Sequence, residues 1–269
     1  MIDTLINIFQ EHITYKNQIS MLAKSDLRKT YRGAALGWAW AIIKPIITLF
    51  VFWFAFSIGL RSGKPVEGYP FFLWLIAGML PWFFMSELIT GGAGCIRKYS
   101  ALVTKMKFPI SIIPTYFNIS HLYTHLFLLS VTIVIFMLFG YMPDIYYLQI
   151  PFYMIIMFAF FTVWSLFSGL LSCISKDFQN LVQSFSTAIF WMSGILYDVD
   201  TIRHGWVRLI LKFNPVTVIS SGYRKAFIYK KWFFDDIVEM GCYCITLLVF
   251  TMAALWAYKK LRKEIPDVL

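Results

Sequence analysis

The chain has 269 residues, of which 59% are hydrophobic and only 14% charged, with a formal net charge of +10. A soluble domain carries about a quarter charged residues, so this composition and the mean hydropathy of +0.68 exclude an ordinary water-soluble protein. The fold class predicted is an all-α integral membrane protein with six transmembrane helices, which leaves no room among them for a soluble catalytic domain.

Residues 1–32 predict a cytoplasmic amphipathic segment that precedes the membrane domain. Apolar side chains recur there at helical spacing, at Ile2, Leu5, Ile6, Phe9 and Ile13. Such a helix either lies on the membrane surface or packs on protein, and the pattern fits both. The basic residues that follow suit an anionic cytoplasmic leaflet, and they are Lys24, Arg28, Lys29 and Arg32.

Residues 33–269 predict a single six-helix transmembrane domain. Apolar runs of spanning length cover approximately Leu36 to Leu60, Tyr69 to Thr90, Pro114 to Gly140, Leu148 to Ser175, Leu181 to Tyr197 and Ile237 to Tyr258. Six spans put both termini on one side, and Lys and Arg are more frequent on that side. The positive-inside rule therefore predicts cytoplasmic termini.

The connection between the fifth and sixth spans, residues 198–236, departs from that rule. It carries the basic residues Arg203, Arg208, Lys212, Arg224, Lys225, Lys230 and Lys231 on the predicted outer side. It also contains an apolar stretch, Trp206 to Phe213, followed by Asn214-Pro215. Short amphipathic or re-entrant helices would explain this pattern, because protein can cover their backbone at membrane depth. The segment is a candidate gate.

The connection from Gly91 to Ile113 is the most suggestive cytoplasmic feature. Gly91, Gly92 and Gly94 are expected to end the second helix. A short basic amphipathic segment then runs to Phe108-Pro109, with apolar residues at Ile96, Leu102, Val103 and Met106. This segment either docks on a partner or lies at the lipid headgroups.

Catalytic and metal-binding motifs are weak. The stretch Gly59 to Pro65 has too few residues between its glycines for a phosphate-binding loop and has proline at the magnesium-binding position. His121 and His125 have a metal-like spacing without a third ligand, so no metal site is predicted. Lys44 and Glu87 are the exceptional ionisable residues inside the spans, and they either pair with each other or snorkel separately.

A series of short motifs in order along the whole chain carries a family resemblance. These are Asp26 to Tyr31 leading to Leu36 to Trp40 and Lys44-Pro45, then Gly63 to Phe71, Ala77 to Phe84, Lys105 to Pro109, Ile113 to Tyr116, Lys176-Asp177, Asn214-Pro215 and Tyr223-Arg224. In these residues the chain resembles the permease subunits of ABC exporters for lipid-linked polysaccharides, and most closely the teichoic acid translocation permeases.

The resemblance implies a homodimer of six-helix subunits in the bacterial plasma membrane, bound to two copies of a separate ABC ATPase. It implies export of an undecaprenyl-diphosphate-linked teichoic acid polymer, with ATP and Mg bound by the partner subunit and no cofactor in this chain. Membrane lipids are further partners, and no nucleic acid is expected. The N-terminal helix and the Gly91 to Ile113 connection become ATPase-coupling elements, the latter through Arg97, Lys98, Leu102, Lys105, Met106, Phe108 and Pro109.

The predicted substrate path follows basic and aromatic residues at both faces. An anionic polymer is attracted by positive charge, and the residues assigned to the path are Arg28, Lys29, Arg32, Trp38, Tyr223 and Arg224, with Lys225 beside the last. Lys44, Glu87, Lys176 and Asp177 are assigned structural or intramembrane charge roles. Lys176 stands where relatives usually carry Arg, so the bidentate donors of an arginine are lost there.

Two other classes of function stay open. One is an ABC exporter permease for another cargo, such as capsule, O-antigen, a drug or a lipid. The other is a membrane enzyme that acts on lipid-linked sugars. An exporter should be inert without its ATPase, whereas an enzyme should depend on a discrete polar constellation, which the sequence does not offer.

Overall fold

The computed structural model describes residues 2–33, 35–59, 63–106 and 108–269. The predicted end of the first span at Leu60, part of the Gly59 to Pro65 stretch, and Lys107 of the predicted coupling segment lie outside the described residues. Across the described ranges the chain is helical, and its β-structure is an isolated bridge between Val66 and Tyr69. The prediction of an all-α chain is confirmed.

The chain starts with two consecutive helices at one end of the molecule. They are α1 (Ile2–Thr14) and α2 (Lys16–Tyr31). A 3₁₀ turn over Gly37–Ala39 leads into α3 (Trp40–Trp53), which continues as a π-helical turn over Phe54–Gly59. The stretch Gly37–Gly59 is long and apolar enough to span a membrane. It agrees with the first predicted span to within a residue at each end.

Three long helices form the centre of the molecule. They are α4 (Phe71–Lys98), α6 (Ile112–Leu138) and α7 (Ile150–Ile174), with the short α5 (Ser100–Thr104) between the first two and a 3₁₀ turn over Ile145–Gln149 before the third. At about 1.5 Å per residue, the 28 residues of α4 are longer than the hydrocarbon core is thick. The helix is therefore longer than a single crossing requires.

The predicted end of the second helix at Gly91, Gly92 and Gly94 is wrong. The helix continues through all three glycines to Lys98. A Cβ atom at Gly92 would collide with Ser165 of α7, and one at Gly169 would lie 3.3 Å from the Gly92 carbonyl oxygen. Gly92 and Gly169 therefore allow the backbones of α4 and α7 to approach each other closely, and Gly92 does not terminate α4.

The remaining helices begin with α8 (Lys176–Met192) and end with α12 (Ile265–Val268). Between them lie α9 (Gly205–Lys212), α10 (Pro215–Arg224) with a π-helical turn over Lys225–Tyr229, and α11 (Ile237–Leu261). Short 3₁₀ turns cover Val199–Thr201 and Phe233–Asp235. The short helices predicted between spans five and six are thus α9 and α10.

The fifth predicted span differs most from the observed helix. Residues 181–197 were expected to cross the membrane, but α8 starts earlier and ends at Met192, before a turn in which Gly194 has a φ of +64°. Its 17 residues cover about 25 Å, less than the roughly 30 Å of hydrocarbon.

Five helical stretches within the described ranges are long and apolar enough to span a membrane. They are Gly37–Gly59, Phe71–Thr104, Ile112–Leu138, Ile145–Ile174 and Ile237–Leu261. The second of these is mostly buried, because α4 packs against α7, α6, α10, α8 and α3. The chain is an all-α, multi-pass integral membrane protein organised around α4.

Candidate functional sites at the two ends of the bundle

The segment that follows α4 presents a small exposed tip on a buried base. Lys105 and Met106 are exposed, while Phe108 is buried with its ring centroid 5.2 Å from that of Tyr15. Leu102 and Pro109 are half-buried. Lys105 and Met106 are therefore accessible to a partner, and the buried apolar residues hold the segment on the helices beneath it.

Arg97 and Lys98, predicted to belong to the same coupling surface, both contact the bundle, although about half of the Lys98 side chain stays exposed. The Arg97 guanidinium donates to the backbone carbonyl oxygens of Ser172 and Cys173, the latter at 3.2 Å, at the C-terminal end of α7. Those carbonyls have no partner within their own helix, and a nearby cation is favoured there. The Lys98 ammonium lies 3.5 Å from the Asp26 carboxylate of α2.

Asp26 joins three helices at this end of the molecule. Its carboxylate is buried and accepts hydrogen bonds from the Tyr99 hydroxyl and, at 2.7 Å, from the Ser120 hydroxyl of α6. A buried carboxylate is costly unless its oxygens are hydrogen-bonded, and here both oxygens have donors. We call Asp26, Lys98, Tyr99 and Ser120 the Asp26 joint. It fixes α2 to the end of α4, immediately before the exposed tip.

The first helix is attached to α6 and α11 in a similar way. Glu11 accepts hydrogen bonds from the hydroxyls of Ser111 and Tyr258, and His12 Nε2 lies 2.7 Å from Thr115 Oγ1. On the other side of α1 the apolar residues of the predicted stripe are exposed, and they are Ile2, Leu5, Ile6, Phe9 and Ile13. One face of α1 is thus held by protein, and the apolar face is open.

The basic cluster of the predicted substrate path lies near the end of α2. Arg28, Lys29 and Arg32 are exposed there, and Trp38 is half-exposed in the 3₁₀ turn that leads to α3. Lys176 and Asp177 are exposed in the first turn of α8. The structure does not bring Lys176 or Asp177 into an ion pair among the described residues.

A groove of about 600 Å³ lies between α3, α4 and α6. We call it the α3–α4–α6 groove, and the residues that line it are Thr30, Trp40, Ala41, Lys44, Pro45, Thr48, Phe83, Phe84, Ser86, Glu87, His121, Thr124, His125 and Leu128. Lys44 and Glu87 are brought to one groove but form no ion pair with each other within the described ranges. The pairing that the sequence left open is absent, and both side chains face the groove.

Residues 17–228, most of the chain, match the ABC-2 type transporter family. The chain belongs to that family. Among its relatives is the O-antigen export system permease protein RfbA of Myxococcus xanthus, 27% identical over 98% of this chain and 99% of the relative. Two proteins of the same description from Klebsiella pneumoniae are 24% and 23% identical, over 93% of each chain. The similarity therefore extends along almost the full length of this ABC-2 chain.

Arg224 lies at the end of the helix bundle opposite to the Asp26 joint. Its side chain is buried. Its guanidinium donates to the backbone carbonyl oxygens of Gly194 at 2.6 Å, of Ile195, and of Trp74 at 3.4 Å, and it stacks on the Trp74 ring at 3.5 Å. Gly78 lacks the Cβ atom that would collide with it. A role in the substrate path stays a prediction for Arg224, whose donors are occupied by backbone.

Tyr223, the other predicted path residue at this end, is fully buried. Its hydroxyl lies 2.7 Å from His125 Nε2, and the two ring centroids are 5.7 Å apart. His125 also lines the α3–α4–α6 groove. This contact links α10 to the α3–α4–α6 groove.

Among the described residues, ion pairs involve three of the seven basic residues that depart from the positive-inside pattern. Lys225 pairs with Glu239 of α11, and both side chains are buried. Two further pairs join Lys212 to Asp236 and Lys230 to Asp144, each at 2.5 Å. These three lysines are therefore each matched by a carboxylate of the connection or its neighbours.

Two of the structurally central residues were not recognised from sequence. Asp26 is only the first residue of a motif in the sequence analysis, and Glu11 has no role there. Their partners lie between 72 and 247 residues further along the chain, as for Asp26 with Lys98 and Glu11 with Tyr258. The available signal was a lone carboxylate within a basic helical segment, and that signal does not identify a partner.

Proposed function

We propose that this chain is the transmembrane permease subunit of an ATP-driven exporter that moves a lipid-linked polysaccharide across the bacterial plasma membrane. The observation that carries the proposal is the near full-length similarity to O-antigen export permeases. Teichoic acid was the cargo expected from sequence. The names of the relatives support the other reading, export of an O-antigen-like polysaccharide, better.

The energy source in this proposal is a separate ABC ATPase. The proposed complex contains two copies of the permease and two of the ATPase, with ATP and Mg bound by the ATPase. Lys105 and Met106 form the proposed contact, because both are exposed at the tip of the predicted coupling segment. The Asp26 joint lies directly behind them, so a push on this tip is passed to α2 and α6 together.

The proposal also places both termini in the cytoplasm, which requires α8 to complete a crossing with the turn that follows it. Reporter fusions at the C-terminus test this. A cytoplasm-active fluorescent reporter should be bright, and a reporter active only outside the membrane should be silent. The opposite pattern would mean that α8 does not cross.

Co-purification tests the function. The tagged chain, isolated from its native membrane in mild detergent, should carry an ATP-hydrolysing subunit in equal amount. Cells depleted of the chain should retain lipid-linked polysaccharide on the cytoplasmic side and lose it from the surface. Isolation of the chain alone, under conditions that preserve other membrane complexes, together with normal surface polysaccharide, would refute the proposal.

A further inference from the structure

The α3–α4–α6 groove is polar where a membrane protein usually is not. Lys44, Glu87, His121 and His125 lie within the three spanning stretches that form its walls. An ionisable residue at the centre of a spanning helix costs at least about 2.5 kcal/mol unless it reaches water, a partner or a ligand. Four such residues around one groove indicate that the groove holds water or a polar ligand.

The hydrogen-bonding capacity of these groups is not used up by the protein. Among the described residues, neither the Lys44 ammonium nor the Glu87 carboxylate is in an ion pair or side-chain hydrogen bond. His125 is buried, and while its Nε2 contacts the Tyr223 hydroxyl, its Nδ1 has no hydrogen-bond partner. Buried polar atoms are rarely left in that condition without water or a ligand.

The mixture of groups restricts the class of ligand. A hydrocarbon chain would leave Lys44 and Glu87 unsolvated, and a phosphate would meet the repulsion of the Glu87 carboxylate. A sugar ring is neutral, offers hydroxyl groups that both donate and accept, and has an apolar face. Trp40 and Phe83 supply aromatic surface in the same groove. At about 600 Å³ the groove lies within the usual range of roughly 300 to 1,000 Å³ for small-molecule sites.

The position of the groove gives such a ligand a route of entry. Thr30 of α2 lines it, and the exposed basic residues Arg28, Lys29 and Arg32 lie close to Thr30 along the chain. A diphosphate anchor could stay beside those cations while the first sugar enters. We propose that the α3–α4–α6 groove binds a sugar ring of the lipid-linked cargo, with Lys44 and Glu87 as its charged hydrogen-bonding partners. This inference rests on the proposed function.

Two lipid probes separate the sugar from its anchor. The transporter, purified with its ATPase and placed in lipid nanodiscs, is titrated with undecaprenyl diphosphate and with undecaprenyl-diphosphate-N-acetylglucosamine, and binding is read by native mass spectrometry. The wild type should bind the glycosylated probe more tightly. Glu87→Gln and Lys44→Met should each reduce that preference about tenfold. This factor corresponds to the loss of a hydrogen bond to a charged group. Both should leave binding of the bare anchor unchanged.

The matched controls are Glu264→Gln and Lys260→Met, which change the same residue types outside the groove. They should preserve the preference for the glycosylated probe. Equal binding of the two probes by the wild type, or an unchanged preference in both groove variants, overturns the sugar assignment. An equal loss for both probes assigns the groove to phosphate instead. Each of these results leaves the proposed function standing if the ATPase still co-purifies.

Discussion

The Asp26 joint and the buried Lys225–Glu239 pair solve the problem of buried charge in different ways. Asp26 is satisfied mainly by the neutral hydroxyls of Tyr99 and Ser120, which lie 73 and 94 residues away in sequence. Lys225 and Glu239 are 14 residues apart and neutralise each other. The first arrangement ties distant helices together around one acceptor. The second joins the end of α10 to α11, the next long helix in the chain.

The difference predicts different consequences of damage. Removing one member of a buried ion pair leaves an uncompensated charge, which costs about 3 to 5 kcal/mol. Replacing a carboxylate that is bound by hydroxyls with a neutral acceptor of the same shape costs less, because the hydroxyls keep a partner. We therefore expect variants of the connection between α8 and α11 to lose stability, and variants of the Asp26 joint to lose the transmission of movement.

The largest effect is expected for Arg224→Met. The change removes the donors to Gly194, Ile195 and Trp74 and leaves their buried carbonyl oxygens without them. We expect a loss of about 3 to 5 kcal/mol and little folded protein in the membrane. Arg203→Met, at an exposed arginine of the same connection, should change stability by less than about 0.5 kcal/mol. Thermal unfolding in detergent measures both, and equal midpoints would contradict the structural role of Arg224.

Glu239→Gln is expected to have the next largest effect, about 3 kcal/mol, because the Lys225 ammonium stays buried without its counter-charge. Combining it with Lys225→Met should recover most of that loss. A double-mutant cycle on the thermal midpoint measures the coupling. Additive losses would mean that the two charges act independently.

Asp26→Asn is expected to cost about 1 to 2 kcal/mol, but to reduce export several-fold while ATP hydrolysis continues. The amide keeps the shape of the side chain and loses the charge that Lys98 and the two hydroxyls contact. The ratio of polymer exported to ATP hydrolysed in vesicles is the measurement. Asp3→Asn, at an exposed carboxylate of α1, is the control and should leave that ratio unchanged. A normal ratio in Asp26→Asn would limit the joint to a static role.

Asp236→Asn is expected to cost about 1 kcal/mol near neutral pH. Burial alone would raise the pKa of Asp236, but the Lys212 ammonium and the Glu239 backbone N–H at the start of α11 outweigh it and lower the pKa. The carboxylate therefore stabilises the fold above the usual Asp pKa, and this contribution is lost as the pH falls below about 4. Thermal midpoints of the two proteins should differ at pH 7 and converge at low pH.

The smallest change in stability is expected for Lys105→Glu with Met106→Ala. Both residues are exposed, so the free energy of unfolding should change by less than about 0.5 kcal/mol. The amount of co-purifying ATPase should nevertheless fall. Phe108→Ala is the contrasting variant, because it removes a buried ring that packs on Tyr15 and should lower stability. If the double variant still recovers the same amount of ATPase, the coupling surface does not include Lys105 and Met106.

Hydropathy alone predicted most of the fold, because the bilayer demands a fixed length of apolar helix. It placed the starts and ends of the Gly37–Gly59 stretch, α6, α7 and α11 within about three residues. It failed at α4, where Gly91, Gly92 and Gly94 were interpreted as a stop although they serve close packing. It also extended the fifth span beyond Met192, where a glycine turn ends the helix.

The candidate sites were less predictable, since they depend on which distant side chains meet. A coupling role for the exposed residues Lys105 and Met106 stays a prediction, whereas Arg97 and Lys98 of the same segment contact the bundle. Nothing local to Asp26 indicates that Tyr99 and Ser120 will bind it. Likewise, the basic residues near α10 gave no sign that Arg224 would be buried against backbone carbonyls.

The central position of α4 constrains the order in which the protein can assemble. In synthesis, α4 leaves the ribosome before α6, α7 and α10, which cover most of its surface in the finished molecule. Until they arrive, its glycine face and Glu87 meet lipid or the insertion machinery. The helix must therefore be stable in the bilayer by itself, and its partner helices pack against it afterwards by complementary shape. A larger side chain at Gly92 would consequently hinder the assembly of the helix bundle, before the protein meets any cargo.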